Sequence, residues 1–152
     1  ALSPMEVREM LEKILAPLML ADMMGELRGK TRFQKLMFLI QKSALEENVC
    51  KLDYGFELHY YGPFSTELSS IVDNLVLRNY LQEVVEATPS GYLGHTYKLT
   101  PEGKDVVEEV LQKELIPSGL IKIIHKTVIL YGNLPLELLV KRAYERFGSE
   151  SE

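Results

Sequence analysis

The sequence predicts a mostly helical α+β fold with a small antiparallel sheet and additional C-terminal helices. Three observations carry that expectation. Helix-opening signals stand at Ser3-Pro4, Thr31, Ser65 and Thr100-Pro101, where hydroxyls can take orphan backbone N–H groups of a first turn. Two short strand-like runs, Leu81 to Val85 and Thr96 to Leu99, flank the turn chemistry of Thr88-Pro89-Ser90-Gly91. A third run alternates Phe56, Leu58 and Tyr60 against Glu57, His59 and Tyr61, the period of a half-buried strand.

Composition narrows the class. A chain of 152 residues is expected to form one domain, or one domain with an extension. Its 46% apolar content is that of an ordinary globular protein. The single cysteine, Cys50, excludes an internal disulfide and fits a reducing, cytoplasmic location. No run approaches the roughly 18 apolar residues of a membrane span, so no membrane partner is expected. Glu6, Arg8, Glu9, Glu12 and Lys13 interrupt the first segment, which therefore lacks a signal-peptide pattern. The net charge of −5 argues against nonspecific nucleic-acid binding by the chain as a whole.

Ser3-Pro4-Met5-Glu6 reads as a capping box opening a helix with Val7, Met10, Leu11, Ile14 and Leu15 along one stripe. Pro17 is expected to kink or restart it. Leu18, Met19, Leu20, Met23, Met24 and Leu27 are then apolar nearly all round, as in a core helix or a dimer contact. Gly25 to Gly29 is a break. Thr31-Arg32-Phe33-Gln34 reads as a second capping box, opening a helix through Leu36, Met37, Leu39 and Ile40. From Arg28 to Lys42 the chain carries five basic residues and no acidic one.

Glu46 to Asp53 is a polar connection. Gly62-Pro63 is expected to stop the Phe56–Tyr60 strand, because proline lacks a ladder N–H. Ser65 should then cap a helix buried through Leu68, Ile71, Val72, Leu75 and Val76, with Glu67, Ser70, Asn74 and Arg78 outward. After the two later strands, Thr100-Pro101-Glu102 opens a helix along Val106, Val107, Val110 and Leu111. Pro117-Ser118 opens another through Ile121, Ile124 and Val128, ended by Gly132-Asn133. Pro135 starts the last, along Leu136, Leu139, Val140, Ala143, Tyr144 and Phe147. The small acidic tail from Gly148 to Glu152 is expected to fray.

This order is that of a winged helix-turn-helix domain over residues 1–115. Residues 116–152 form a C-terminal helical extension that packs on it or makes a dimer contact. The expected sheet joins Phe56–Tyr60, Leu81–Val85 and Thr96–Leu99. Ser65–Tyr80 takes the recognition position and the Thr88–His95 loop the wing.

Thr31-Arg32-Phe33-Gln34-Lys35-Leu36-Met37-Phe38-Leu39, followed by Tyr61-Gly62-Pro63-Phe64-Ser65 with Glu67-Leu68 behind it, resembles the prokaryotic YwgA-like proteins. It is similar, more distantly, to the Panacea (SocA-like) antitoxin domain, which shares the lysine-bearing helix and a later Gly-Pro element. The resemblance covers most of Lys30 to Leu99. Leu134 to Phe147 also resembles the YwgA-like C-terminal helix, but the usual Phe-Pro-Glu-Tyr ending is replaced by Phe147-Gly148-Ser149-Glu150. The Panacea resemblance implies binding to other proteins.

Catalytic chemistry has no motif to rest on. His59, His95 and His125 lie far apart and share no ligand spacing with Cys50, so no metal is expected. A Walker A lysine, a Gly-x-Ser-x-Gly elbow and a dinucleotide fingerprint are all missing, so neither an enzyme nor a cofactor is expected. Two readings stand. In the first, a transcription regulator binds double-stranded DNA. Arg28, Lys30, Arg32 and Lys35 meet phosphates, and Ser65, Thr66, Ser70, Asn74 and Arg78 lie at the reading edge. Glu67 and Asp73 oppose this, and the wing carries no charged side chain. In the second, the scaffold is an antitoxin- or adaptor-like module for a protein partner. The net charge, the Tyr60-Tyr61-Pro63-Phe64 surface and the Met-rich Leu18–Met24 segment favour it. Fold-level analogy tilts the expectation toward DNA.

Overall fold

The capping box at Ser3 forms as expected. Ser3 Oγ accepts from the Glu6 N–H at 3.2 Å, and Glu6 Oε1 accepts from the Ser3 N–H at 3.1 Å. In the computed structural model, which describes residues 1–148, helix α1 (Pro4–Met24) continues through Pro17 instead of restarting there. Proline supplies no N–H to the carbonyl of Lys13, and the buried Tyr54 hydroxyl donates to that oxygen at 2.9 Å in its place. The segment Leu18 to Ala21 is core, in one buried cluster with Leu36, Met37, Ile40, Leu120 and Ile124, and α1 packs on α5. Met19 is therefore not available to a partner, whereas Val7, Met10, Leu11 and Ile14 remain exposed.

The break after α1 contains a strand that local pattern did not reveal, β1 (Leu27–Arg28). Helix α2 (Lys30–Glu46) follows, capped by Gly29 at φ +103 and not by Thr31. The expected box at Thr31 does not form, because the Gln34 side chain bonds Ser65 and Ser69 across the fold. Next come β2 (Glu57–His59), β3 (Gly62–Phe64) and α3 (Thr66–Leu77), the last capped by Ser65 Oγ, which accepts from the Leu68 N–H. The strands β4 (Leu81–Ala87) and β5 (Leu93–Leu99) form a longer hairpin than expected, with only residues 88–92 at its tip. Helix α4 (Pro101–Lys113) opens at Thr100, whose Oγ1 accepts from the Gly103 N–H at 2.9 Å. Helices α5 (Ser118–Tyr131) and α6 (Leu136–Gly148) pack on α2, and α5 also on α1. Of the acidic tail, residues 149–152 lie outside the described residues.

The sheet differs from expectation in its third strand. Its antiparallel order is β1-β5-β4, with Leu27 opposite Tyr97 and Arg28 opposite Thr96. Phe56–Tyr60 is not in it. That run instead makes a separate ribbon, β2 pairing β3, because Gly62-Pro63 does not stop the chain. Gly62, at φ +96, reverses it, and Pro63 pairs opposite Leu58. A strand of two residues has no readable period. Leu27 is held by its neighbours, fully buried beside Tyr97 of β5.

Candidate functional site

The β2–β3 ribbon is pinned from three sides. From α2, Lys35 Nζ donates to the Pro63 carbonyl at 2.9 Å. Lys35 is only 2% exposed, and burial pulls its pKa down to about 8. From α6, the Tyr144 hydroxyl reaches the carbonyls of His59 and Tyr60 at 3.0 and 3.1 Å. Glycine is needed at position 62 for its φ of +96, and a Cβ there would also crowd Lys35 Cε at 3.3 Å and the Tyr144 ring at 3.5 Å. At the base, Gln34 Oε1 accepts from the Ser65 N–H at 2.8 Å while its Nε2 donates to the Ser65 carbonyl at 2.9 Å. Ser65 Oγ in turn donates to the Tyr54 carbonyl at 2.6 Å.

This framework projects two tyrosines. Tyr60 is 86% exposed and Tyr61 63%, their rings edge to face at 5.0 Å. The His59 ring lies against Phe64 at 5.2 Å. Sequence reasoning had marked the Tyr60-Tyr61 surface but missed Tyr144, whose hydroxyl on an otherwise apolar helix stripe was the available signal.

The residues expected to face DNA do not gather into one surface. Lys35 is buried against Pro63 and Ser65 is buried as a cap, so neither presents itself to a duplex. Helix positions turn by about 100° each, which points Lys30 away from Arg32 and Lys35, and those two are taken by different carbonyls, Gly132 and Pro63. Arg28 pairs with Glu26 at 3.0 Å, and half-buried Arg32 donates to the Gly132 carbonyl at 3.1 Å. Those two arginines line one shallow cleft, with Asn133. Lys30 lines another, of about 50 Å³, with Phe33, Val72, Asp73 and Tyr97. Thr66, Ser70, Asn74 and Arg78 do share the exposed side of α3, where Asn74 Nδ2 donates to the Ser70 carbonyl at 3.0 Å. Glu67 shares that side, seven residues before Asn74. It pairs with Lys13 of α1 at 2.5 Å.

A second polar cluster, on the sheet, had no motif to announce it. Tyr97 donates to Glu83 Oε2 at 2.7 Å, and His95 Nδ1 lies 3.0 Å from the same oxygen. Burial by itself would raise the Glu83 pKa. The bonds from Tyr97 and His95, with the nearby charges of His95 and Lys30, outweigh it and hold the carboxyl below its usual range. Burial also pushes the Tyr97 phenol well up. The one signal for this cluster was register, since Glu83 and Tyr97 are directly opposed. Among the described residues, no three His, Cys, Asp or Glu side chains come together as a metal site.

No family model matches the chain. A stretch of 79 residues is 30% identical to the uncharacterized protein YwgA of Bacillus subtilis (strain 168). The chain resembles YwgA. The match covers 52% of this chain and 44% of YwgA, so the chain spans less than half of that relative. No helix among the described residues is long and apolar enough to cross a membrane.

Proposed function

We propose that this YwgA-like chain is a protein-interaction module built on a winged-helix scaffold, and that it docks through the tip of the β2–β3 ribbon. The observation that carries this reading is the pair Tyr60 and Tyr61, exposed yet held by Tyr144 and Lys35. Tyrosine gives contact area at low entropic cost, and a pinned backbone lowers that cost further. The winged-helix assignment is supported by three helices around a β1-β5-β4 sheet, with β1 between α1 and α2 and the β4–β5 hairpin after α3. The ribbon is then an insertion before the recognition position. The protein-binding role that a Panacea-like lysine-bearing helix and Gly62-Pro63 element would imply fits the same reading.

The second reading, DNA binding, is favoured by Thr66, Ser70, Asn74 and Arg78 on the open side of α3. The net charge of −5 and the dispersal of Arg28, Lys30, Arg32 and Lys35 weigh against it. A photo-crosslinking amino acid placed at Tyr60, or at Asn74, separates the two in cell extract supplemented with mixed-sequence duplex. A discrete protein adduct from Tyr60 and no DNA adduct from Asn74 is expected. DNA adducts from Asn74 with nothing from Tyr60 would replace this reading with the regulator.

A further inference from the structure

The two edges of the β2–β3 ribbon differ in kind. The β3 edge is sealed: Pro63 has no N–H, and its carbonyl is taken by Lys35 Nζ. The β2 edge is open, with Glu57, Leu58 and His59 all exposed. Leu58 lies opposite Pro63. A hydrogen-bonded antiparallel pair needs an N–H from both residues, and Pro63 has none to give. The pair is therefore of the non-hydrogen-bonded type, which turns the N–H and carbonyl of Leu58 away from β3, toward solvent. No bond from a described residue reaches them. With a 52% exposed leucine on it, such an edge is a template for another strand.

The residues along the edge indicate which strand. Phe56-Glu57-Leu58-His59-Tyr60 reads alike in both directions: aromatic, polar, leucine, polar, aromatic, with an acid and a base at the two polar positions. We propose that the outer edge of β2 pairs antiparallel with the same edge of a second copy of this chain, about a two-fold axis at Leu58. This rests on the reading of the ribbon as the contact surface and names its partner.

In that pairing Leu58 faces the second copy's Leu58, and Phe56, whose ring packs on Phe38 and Tyr54, stands opposite the second copy's Tyr60. Glu57 faces the second copy's His59, where an imidazole N–H donates to the carboxylate. In such an isologous contact, symmetry makes each unlike pair twice. Within one chain Glu57 and His59 approach only to 3.9 Å, beyond hydrogen-bond distance, and both are well exposed. Glu57 is free to turn to a partner, and His59 does so by shifting its ring off Phe64. Read against itself in parallel, the same strand would set Glu57 beside Glu57, which is unfavourable.

Sedimentation equilibrium on the full chain tests this with Leu58→Pro, Glu57→Lys, His59→Glu and the double variant Glu57→Lys/His59→Glu. The wild type is expected to dimerise. Leu58→Pro removes an N–H that the monomer does not use, so unfolding of the monomer stays near wild type while the dimer Kd rises about tenfold or more. Each single charge variant weakens the dimer several-fold, and the double variant, which restores opposite charges across the axis, returns it close to wild type. Those charge variants sit on exposed positions and keep the test valid if Leu58→Pro disturbs folding. A wild type that stays monomeric at about 1 mM overturns the proposal, since that concentration reveals even weak association. A dimer indifferent to all four variants overturns it too, and places the contact elsewhere, such as the exposed Val7–Ile14 stripe of α1. A monomer whose Tyr60 crosslinks a different protein refutes this pairing and leaves the interaction-module reading intact. A monomer without adducts refutes both.

Discussion

Lys35 Nζ stands 2.9 Å from the carbonyl oxygen of Pro63, a buried ammonium on the one edge of the ribbon that proline leaves without an N–H. Burial moves the amine from its ordinary 10.5 down to about 8. Below that value both folded and unfolded chains carry the charge, and the fold bears its desolvation in full. As pH rises from about 8 toward 10.5 the folded chain releases the proton first, so stability increases; above 10.5 both are neutral. The whole span is worth about 3 kcal/mol, at roughly 1.4 kcal/mol for each pH unit of displacement. Cys50, pushed up to about 11 by burial, acts oppositely but only above its ordinary 9.0.

The window between pH 8 and 9 therefore isolates the lysine. Urea unfolding there is expected to show the wild type gaining about 1 kcal/mol relative to Lys35→Met. Parallel pH profiles for the two proteins would show that the amine is not desolvated as the structure has it.

Tyr54→Phe deletes the donor that replaces the missing Pro17 N–H at the Lys13 carbonyl. An unsatisfied buried carbonyl costs about 1–3 kcal/mol. In a Pro17→Ala background the helix supplies its own N–H, and the same change is expected to cost about 1 kcal/mol less. Additive losses across that double-mutant cycle would mean the two residues do not share the oxygen.

Alanine for glycine within a helix ordinarily stabilises by about 1 kcal/mol. At Gly103 the sign should reverse. A Cβ there would lie 2.2 Å from the Tyr80 carbonyl oxygen, on backbone that cannot swing aside. Gly103→Ala is expected to destabilise by about 3 kcal/mol in thermal or urea unfolding, as overpacking does. A neutral effect would show that α4 and the start of β4 separate easily.

A salt titration against mixed duplex bears on the DNA reading. With Lys35 buried and Arg32 engaged at Gly132, Arg28 and Lys30 are the two cations of that group left exposed. Two phosphate contacts give a log–log slope no steeper than about −2. A slope of about −4 or steeper would return the regulator to first place. Glu67→Gln should raise any DNA affinity only slightly, because Lys13 on α1 already pairs with that carboxylate. The loss of this part-exposed pair should cost less than about 1 kcal/mol.

By itself the sequence determined the parts whose partners lie within a turn of one another. Ser3, Ser65 and Thr100 cap helices through N–H groups three residues on, a choice that needs no knowledge of the rest of the chain. The β4–β5 pairing is similarly local, closed by turn residues. Only the tertiary structure decided the rest, because there one group chooses among distant partners. Gln34 had a cap within reach at Thr31 and bonds Ser65 instead, whose buried N–H and carbonyl have more to lose unpaired. Leu27-Arg28 became a strand because β5 had an edge to fill, and Phe56–Tyr60 left the sheet for the ribbon that Gly62 allowed. Lys35 looked like a surface cation in a basic run and is a buried strut, since a charge goes where its hydrogen-bond acceptor is, and Pro63 is 28 residues away.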